Sequence, residues 1–259
     1  MIQVTAVPAF TDNYIWLIGN TDNPCVAIVD PGDATPVLAA LTRLVKQPVA
    51  ILITHHHRDH VGGIAQLLQA YPGLLVYGPA NEKIPHLNQP LTEGADVHLE
   101  ALGLNFHVME LPGHTAGHIV YYGEGSLFCG DTLFANGCGR VFDGTLHDLY
   151  ASLQRIAQLP ADTQVYCTHE YTVDNIGFAK WVEPDNPALD ARLEESWALL
   201  DAGHPTVPFE LGREFDTNPF LRTHIPEVIA KAEEIAGRET HTPADVFAVL
   251  RIWKDTEYD

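Results

Sequence analysis

The chain has 259 residues, enough for one large domain or for a domain with a smaller companion. It carries 34 acidic and 14 basic side chains, a net charge of −20, and such a surface excludes nucleic acid and anionic membranes as partners, because both are held chiefly by Lys and Arg on phosphate. No apolar run reaches the length of a membrane span, and the opening MIQVTAVPAF has neither the basic start nor the continuous apolar stretch of a secretory signal, so a cytoplasmic protein is expected.

In chain order, NYIWLIGN (13–20) reads as a strand and CVAIVDPGD (25–33) as a strand ending in a turn. ATPVLAALTRLVK (34–46) has helical spacing, PVAILIT (48–54) is a short buried strand, and GGIAQLLQAYPG (62–73) is a helix closed by Pro-Gly. Further strands follow at LLVYG (74–78), LNFHVMEL (104–111), HIVYYG (118–123) and SLFCGD (126–131). This alternation predicts an α/β protein whose sheets are covered by helices. After His169 the pattern turns helical, with VDNIGFAKWVEP (173–184), PALDARLEESWALLDAG (187–203), PEVIAKAEEIAG (226–237) and TPADVFAVLRIWK (242–254), and no strand is expected there. The expected division is therefore 1–170 for the α/β domain and 171–259 for a smaller, all-helical one. Cys25, Cys129, Cys138 and Cys167 show no CxxC spacing and read as buried thiols of a reducing compartment.

The densest chemistry lies in ITHHHRDHVGG (53–63). Alternate residues of an extended segment point the same way, so His55 and His57 can share one metal ion, while Asp59 and His60, past the bend, can face a neighbouring one. One loop then supplies two incomplete coordination spheres. Further donors stand at strand ends: His114 in LPGHTAGH, Asp131 in LFCGDTLF and His169 in VYCTHEY. Imidazole with carboxylate suits zinc or ions of the iron and manganese class. His56 and Arg58 fall off the alternation and are expected to point away, and His118 to pack or support.

The ordered set H-x-H-x-D-H, G-H-T-x-G-H, G-D-T and T-H-E, with the VDPGD turn at Asp30–Gly32, resembles the metallo-β-lactamase superfamily. The resemblance implies a four-layer αββα sandwich with a binuclear site between its sheets. More narrowly, the sequence is similar to the glyoxalase II family, the hydroxyacylglutathione hydrolases, because TNPFLR (217–222) and LRIWK (250–254) match that family's helical domain. Position by position, the resemblance assigns His55, His57 and His114 to one ion and Asp59, His60 and His169 to the other, with Asp131 bridging both. It implies two divalent ions per chain, zinc first, with iron or manganese within the family's range.

Two cations about 3.5–4 Å apart can share a hydroxide, and coordination lowers the pKa of water to about 7. The expected reaction is attack of that hydroxide, held beside Asp59 and Asp131, on the thioester of S-(2-hydroxyacyl)glutathione such as S-lactoylglutathione. The products are glutathione and a 2-hydroxy acid, the second step of methylglyoxal detoxification. A thiol of pKa about 8.5 leaves almost as thiolate, so no general acid is required. The resemblance also implies that Arg140, Arg251 and Lys254 hold the glutathione carboxylates and that Tyr171 lines the bound peptide. The family often has Tyr where this chain has Phe142, which removes one hydroxyl contact. Arg251 and Lys254 are three apart on a predicted helix and share a face, the alternative being a solvated charged face. A monomer is expected.

Other readings stay open at this point. Persulfide dioxygenases resemble the same histidine loop with a single iron; Arg251 and Lys254 favour the hydrolase. An exported β-lactamase is disfavoured by the chain start, a nuclease by the charge, and a non-catalytic binding protein by the complete donor set. No G-x-S-x-G, G-x-x-x-x-G-K-[ST] or G-x-G-x-x-G occurs.

Overall fold

The structure, a computed structural model, describes residues 2–258. The chain divides into two compact units: one runs to Glu110 and resumes over Gly117–Gly130, the other comprises Leu111–Ala116 and the chain from Asp131 onward.

In the first unit, β1 (Ile2–Ala9), β2 (Asn13–Asn20), β3 (Cys25–Val29), α1 (Ala34–Leu44), β4 (Gln47–Leu52), α2 (Arg58–Val61), α3 (Ile64–Ala70), β5 (Leu75–Pro79) and β6 (Gln89–Leu91) follow in order. The six strands form one sheet in sequence order. β1, β2 and β3 are antiparallel neighbours, whereas β3 to β6 run parallel, as the crossover through α1 requires. Alternation decides the packing. Ile15 and Leu17 of β2, Val26 and Ile28 of β3 and Ile51 of β4 join Val37 and Leu41 of α1 and Ile64 and Leu67 of α3 in one core. Trp16, Ile18, Ala27, Val29, Ala50 and Leu52, pointing the other way, are also buried. Both faces are dry, the condition of a sheet covered on both sides.

β7 (Asp96–Leu99), β8 (Leu104–Glu110), β9 (Ile119–Gly123) and β10 (Ser126–Gly130) form an antiparallel run in a second sheet. Here Val97, Leu99, Leu104, Phe106 and Val108 are inside, while Asp96, His98, Asn105 and His107 face water. The buried Tyr121 of β9 donates its hydroxyl to the Ile53 carbonyl just past β4, and Ile119 N donates to Thr54 O, so the histidine-bearing end of β4 is tied to β9.

The helix expected from Gly62 is two pieces, and the first starts earlier. Asp59 and His60 lie within the α2 turn because the Pro31-Gly32 corner packs directly on it: a Cβ on Gly32 would stand 1.8 Å from the Asp59 carbonyl, and Gly63 N donates to Pro31 O. Only glycine allows that approach.

The second unit contains β11 (Leu133–Phe134) and β12 (Gly137–Cys138), a small hairpin, then α4 (Leu146–Ile156), β13 (Gln164–Cys167), α5 (Thr172–Val182), α6 (Pro187–Asp201), β14 (Phe209–Glu210), α7 (Glu214–Thr217), α8 (Pro226–Ala236) and α9 (Pro243–Trp253). Caps set the helix starts: Thr145 accepts from Asp148 N, Asn186 from Ala188 N, and Thr242 and Asp245 form a capping box. Phe178, Phe220 and Phe247 pack ring on ring among these helices. β14 corrects the expectation of no strand after His169. Its two residues pair with Gln164 and Val165 of β13, a contact supplied by tertiary structure and too short to leave a period in the sequence. β1 and α4 also add to the elements read from the sequence. No helix among the described residues is long and apolar enough to cross a membrane.

Candidate metal centre

In the first unit the donors lie where β4 ends. Asp30, buried at the end of β3 with φ of 49°, accepts hydrogen bonds from Thr54 N and Thr54 Oγ1, both at 2.8 Å. Since the only hydroxyl proton of Thr54 goes to that carboxylate, its oxygen is left to accept from His55 Nδ1, 3.1 Å away. His55 therefore carries its proton on Nδ1 and offers Nε2 as a donor pair. That nitrogen lies 3.0 Å from His57 Nδ1. Asp30 Oδ2 also stands 3.1 Å from His60 Nδ1, which turns His60 Nε2 toward Asp59 Oδ2 at 3.5 Å. Asn13 Nδ2 donates to the same Asp59 oxygen. Through Thr54, Asp30 orients the His55 imidazole, the usual device for fixing the tautomer of a metal-binding histidine, and it lies within ion-pair distance of His60. His118 stacks on His55, centroids 4.8 Å apart and 22° between planes. A Cβ on Gly130, whose φ is 49°, would collide with Thr54 and His118, so the strand end must be glycine.

In the second unit His114 Nδ1 donates to the Arg140 carbonyl at 2.8 Å, leaving Nε2 for a metal. Asp131 Oδ2 lies 3.5 Å from His114 Nε2 and 3.4 Å from His169 Nε2, a single oxygen facing two imidazole nitrogens. His169 stacks on Tyr171 at 4.7 Å with planes 4° apart, and Phe134 meets both rings edge-on. Phe142 stands edge-on to His114.

In the first unit His55 Nε2 stands 3.0 Å from His57 Nδ1 and His60 Nε2 3.5 Å from Asp59 Oδ2; in the second, one Asp131 oxygen faces His114 and His169. Donors about 2.0–2.1 Å from a tetrahedral ion lie about 3.3 Å apart, so the donors of each unit have the types and spacing of ligands to a divalent metal. Thr54 and Asn13, which hydrogen-bond to the donors or to Asp30, left no signal in the sequence; Asp30 did, through the VDPGD turn.

Residues 9–169 match the metallo-beta-lactamase superfamily and residues 170–257 the hydroxyacylglutathione hydrolase C-terminus. The chain is 51% identical over 258 residues to the hydroxyacylglutathione hydrolase of Nitrosomonas eutropha, covering 98% of this chain and 99% of that one. It belongs to the hydroxyacylglutathione hydrolase family. The hydroxyacylglutathione hydrolase of Pseudomonas aeruginosa strain LESB58 is 52% identical over 259 residues, with 98% and 99% covered. Among solved structures, ETHE1 from Myxococcus xanthus superposes with a TM-score of 0.58 at 28% identity, covering 66% of this chain and 76% of its own. A metallo-beta-lactamase from Staphylococcus aureus gives a TM-score of 0.62 at 17% identity, covering 98% and 71%, a likeness of fold. The chain accordingly has the metallo-β-lactamase fold followed by the helical segment of hydroxyacylglutathione hydrolases, and it is an enzyme of that family.

The cations expected at a hydroxyacylglutathione hydrolase substrate site differ in exposure. Arg140 is 47% exposed, its Nε 3.5 Å from Asp255 Oδ1. Arg251 is 1% and Lys254 4% exposed, which rules out a solvated helix face for this pair. Arg251 donates to the Cys138 carbonyl at 3.0 Å and to Asp255 at 2.7 Å, and its guanidinium lies over the Phe220 ring. Lys254 opens a π-helical turn (residues 254–258), where its ammonium lies near the rings of Phe178 and Tyr258 and 3.8 Å from Asp174. Tyr171 is partly exposed, and Phe142 is 64% exposed.

Proposed function

We propose that the chain hydrolyses the thioester of S-(2-hydroxyacyl)glutathione, S-lactoylglutathione first, to glutathione and the 2-hydroxy acid, using two divalent ions with zinc the expected metal. The observation that carries this reading is identity near 50% over the whole chain with proteins named hydroxyacylglutathione hydrolase, helical segment included. His55, His57 and His114 would hold one ion and Asp59, His60 and His169 the other. The Asp131 oxygen facing two imidazoles suits a carboxylate shared between them. When bound, the pair supplies Lewis acidity for the acyl carbonyl and an activated water at neutral pH.

The chain's own residues do the rest. Asp30, through Thr54, keeps the donor nitrogen of His55 correctly oriented, so little reorganisation of that ligand accompanies metal binding. Arg140 presents its guanidinium to solvent, suited to a glutathione carboxylate. Arg251 and Lys254 add positive potential at that subsite, and Tyr171 offers a flat, partly exposed ring to the peptide. Phe142 gives apolar contact without a hydroxyl. The leaving thiolate needs no proton donor, in keeping with a set of carboxylates and imidazoles already engaged. The enzyme is proposed to act in the cytoplasm as a monomer; its cysteines are free thiols.

The test is hydrolysis of S-lactoylglutathione alongside metal analysis of purified protein. Wild type should turn over with about two ions per chain, and Asp131→Ala should lose metal and turnover together. Retention of both by the variant would sink the shared-carboxylate reading; an inactive, metal-replete wild type would sink the substrate.

A further inference from the structure

His56 stands between two proposed ligands and is expected from the alternation to point away from them; it has a buried partner. Glu82, on the connection between β5 and β6, is 4% exposed and places Oε2 2.9 Å from His56 Nδ1. Its other oxygen accepts from Gly117 N at 3.1 Å. A carboxylate withdrawn from water must be compensated, and here the compensation comes from two different loops, one on each oxygen. The fit is close: a Cβ on Gly117 would stand 2.6 Å from Glu82 Cγ, so any side chain there would expel the carboxylate.

The two loops are the ones that flank His55. His56 is the middle residue of His55-His56-His57, and Gly117 precedes His118, whose ring stacks on His55. His56, held by Glu82, meets the His57 ring edge-on at 5.0 Å, and the His57 ring in turn meets the His55 ring edge to face at 4.7 Å, so the Glu82 contact is passed through His56 to the ligand pair. We infer that Glu82 is a positioning residue for the metal centre: its carboxylate clamps His56 and Gly117 and thereby fixes the spacing of the His55 and His57 donor atoms. The inference rests on the reading of those two histidines as ligands.

The experiment uses full-length protein loaded with Co²⁺, read by its visible absorption spectrum and by competition with a chelator, with melting temperature recorded in parallel. Glu82→Ala should weaken Co²⁺ binding about tenfold, as loss of an outer support of a metal ligand does, and shift the absorption bands. Glu82→Gln keeps a carbonyl for Gly117 N and an amide N–H for His56 Nδ1, and should restore both readouts. His56→Ala should reproduce the Glu82→Ala spectrum, and the double variant should be no worse than either single one. Unchanged spectrum and affinity in Glu82→Ala overturn the inference even if its melting temperature falls. Should that variant not fold, an unaltered spectrum in His56→Ala overturns it instead. A wild-type chain that takes up no Co²⁺ refutes the ligand assignment itself, and this inference with it.

Discussion

At the scale of single residues, the chain sets protonation by what each polar atom is given to face. Thr54 has one proton and sends it to Asp30, so His55 must donate through Nδ1; His114 is fixed likewise by a carbonyl that can only accept. Cys138 shows the opposite treatment of a titratable group. Burial pushes its thiol up to about 11, and the adjacent Arg251 guanidinium offsets only part of that. A folded-state value above the unfolded one means that the folded chain retains a proton the unfolded chain releases. The neutral thiol is therefore harmless below about pH 9, and stability falls as pH rises from there toward 11. One such proton contributes a slope on the order of 1 kcal/mol per pH unit. Cys138→Ala should flatten the urea-measured stability profile by that amount in this window. Parallel profiles for the two proteins would show that the thiol ionises normally in the folded state.

At the scale of elements, the hairpin of β11 and β12 lies between Asp131 and Arg140 and is pinned from below by a buried network. Asn136, with φ of 60°, donates its N–H to Glu214 of α7; Asn218 donates to the same carboxylate and to Gly137 O; Arg192 of α6 pairs with Glu214 and reaches Thr217. Removing one member leaves a buried charge and a buried N–H without compensation. Glu214→Ala should therefore cost about 3–5 kcal/mol in chemical denaturation, far more than a surface carboxylate. A loss below about 1 kcal/mol would mean that water or a rearranged Arg192 replaces the carboxylate.

The same elements show what sequence carries. The expected helices α5, α6, α8 and α9 lie where periodicity and caps place them, within a residue or two. The early start of α2, the two residues of β14 and the burial of Arg251 are of another kind. Each depends on a partner remote in sequence: the Pro31-Gly32 corner, β13, and the Cys138 carbonyl with Asp255 nearby. The candidate ligands stood out in the sequence because their residue types and order are distinctive. The supports did not, since Thr54, Glu82 and Asn13 are ordinary residues given meaning by distance alone.

At the scale of the whole molecule, a net charge of −20 opposes the proposed substrate. Glutathione thioesters carry two carboxylates and one ammonium, so on the proposed reading protein and substrate repel at long range and attract only at the cationic subsite proposed around Arg140, Arg251 and Lys254. The two contributions have different reach. The screening length falls from about 30 Å at 0.01 M salt to about 8 Å at physiological ionic strength, which erases the repulsion of a dispersed surface charge first. Contacts with Arg251 and Lys254, both withdrawn from water, are screened much less. Hence kcat/KM for S-lactoylglutathione should rise, by about twofold, as salt increases over that range, through faster encounter and with little change in kcat. Arg140→Ala, which removes the exposed member of the subsite, should make the rise steeper. A steady fall of kcat/KM with salt in wild type would show instead that the local cations govern the approach and that the acidic surface lies too far from the entrance to matter.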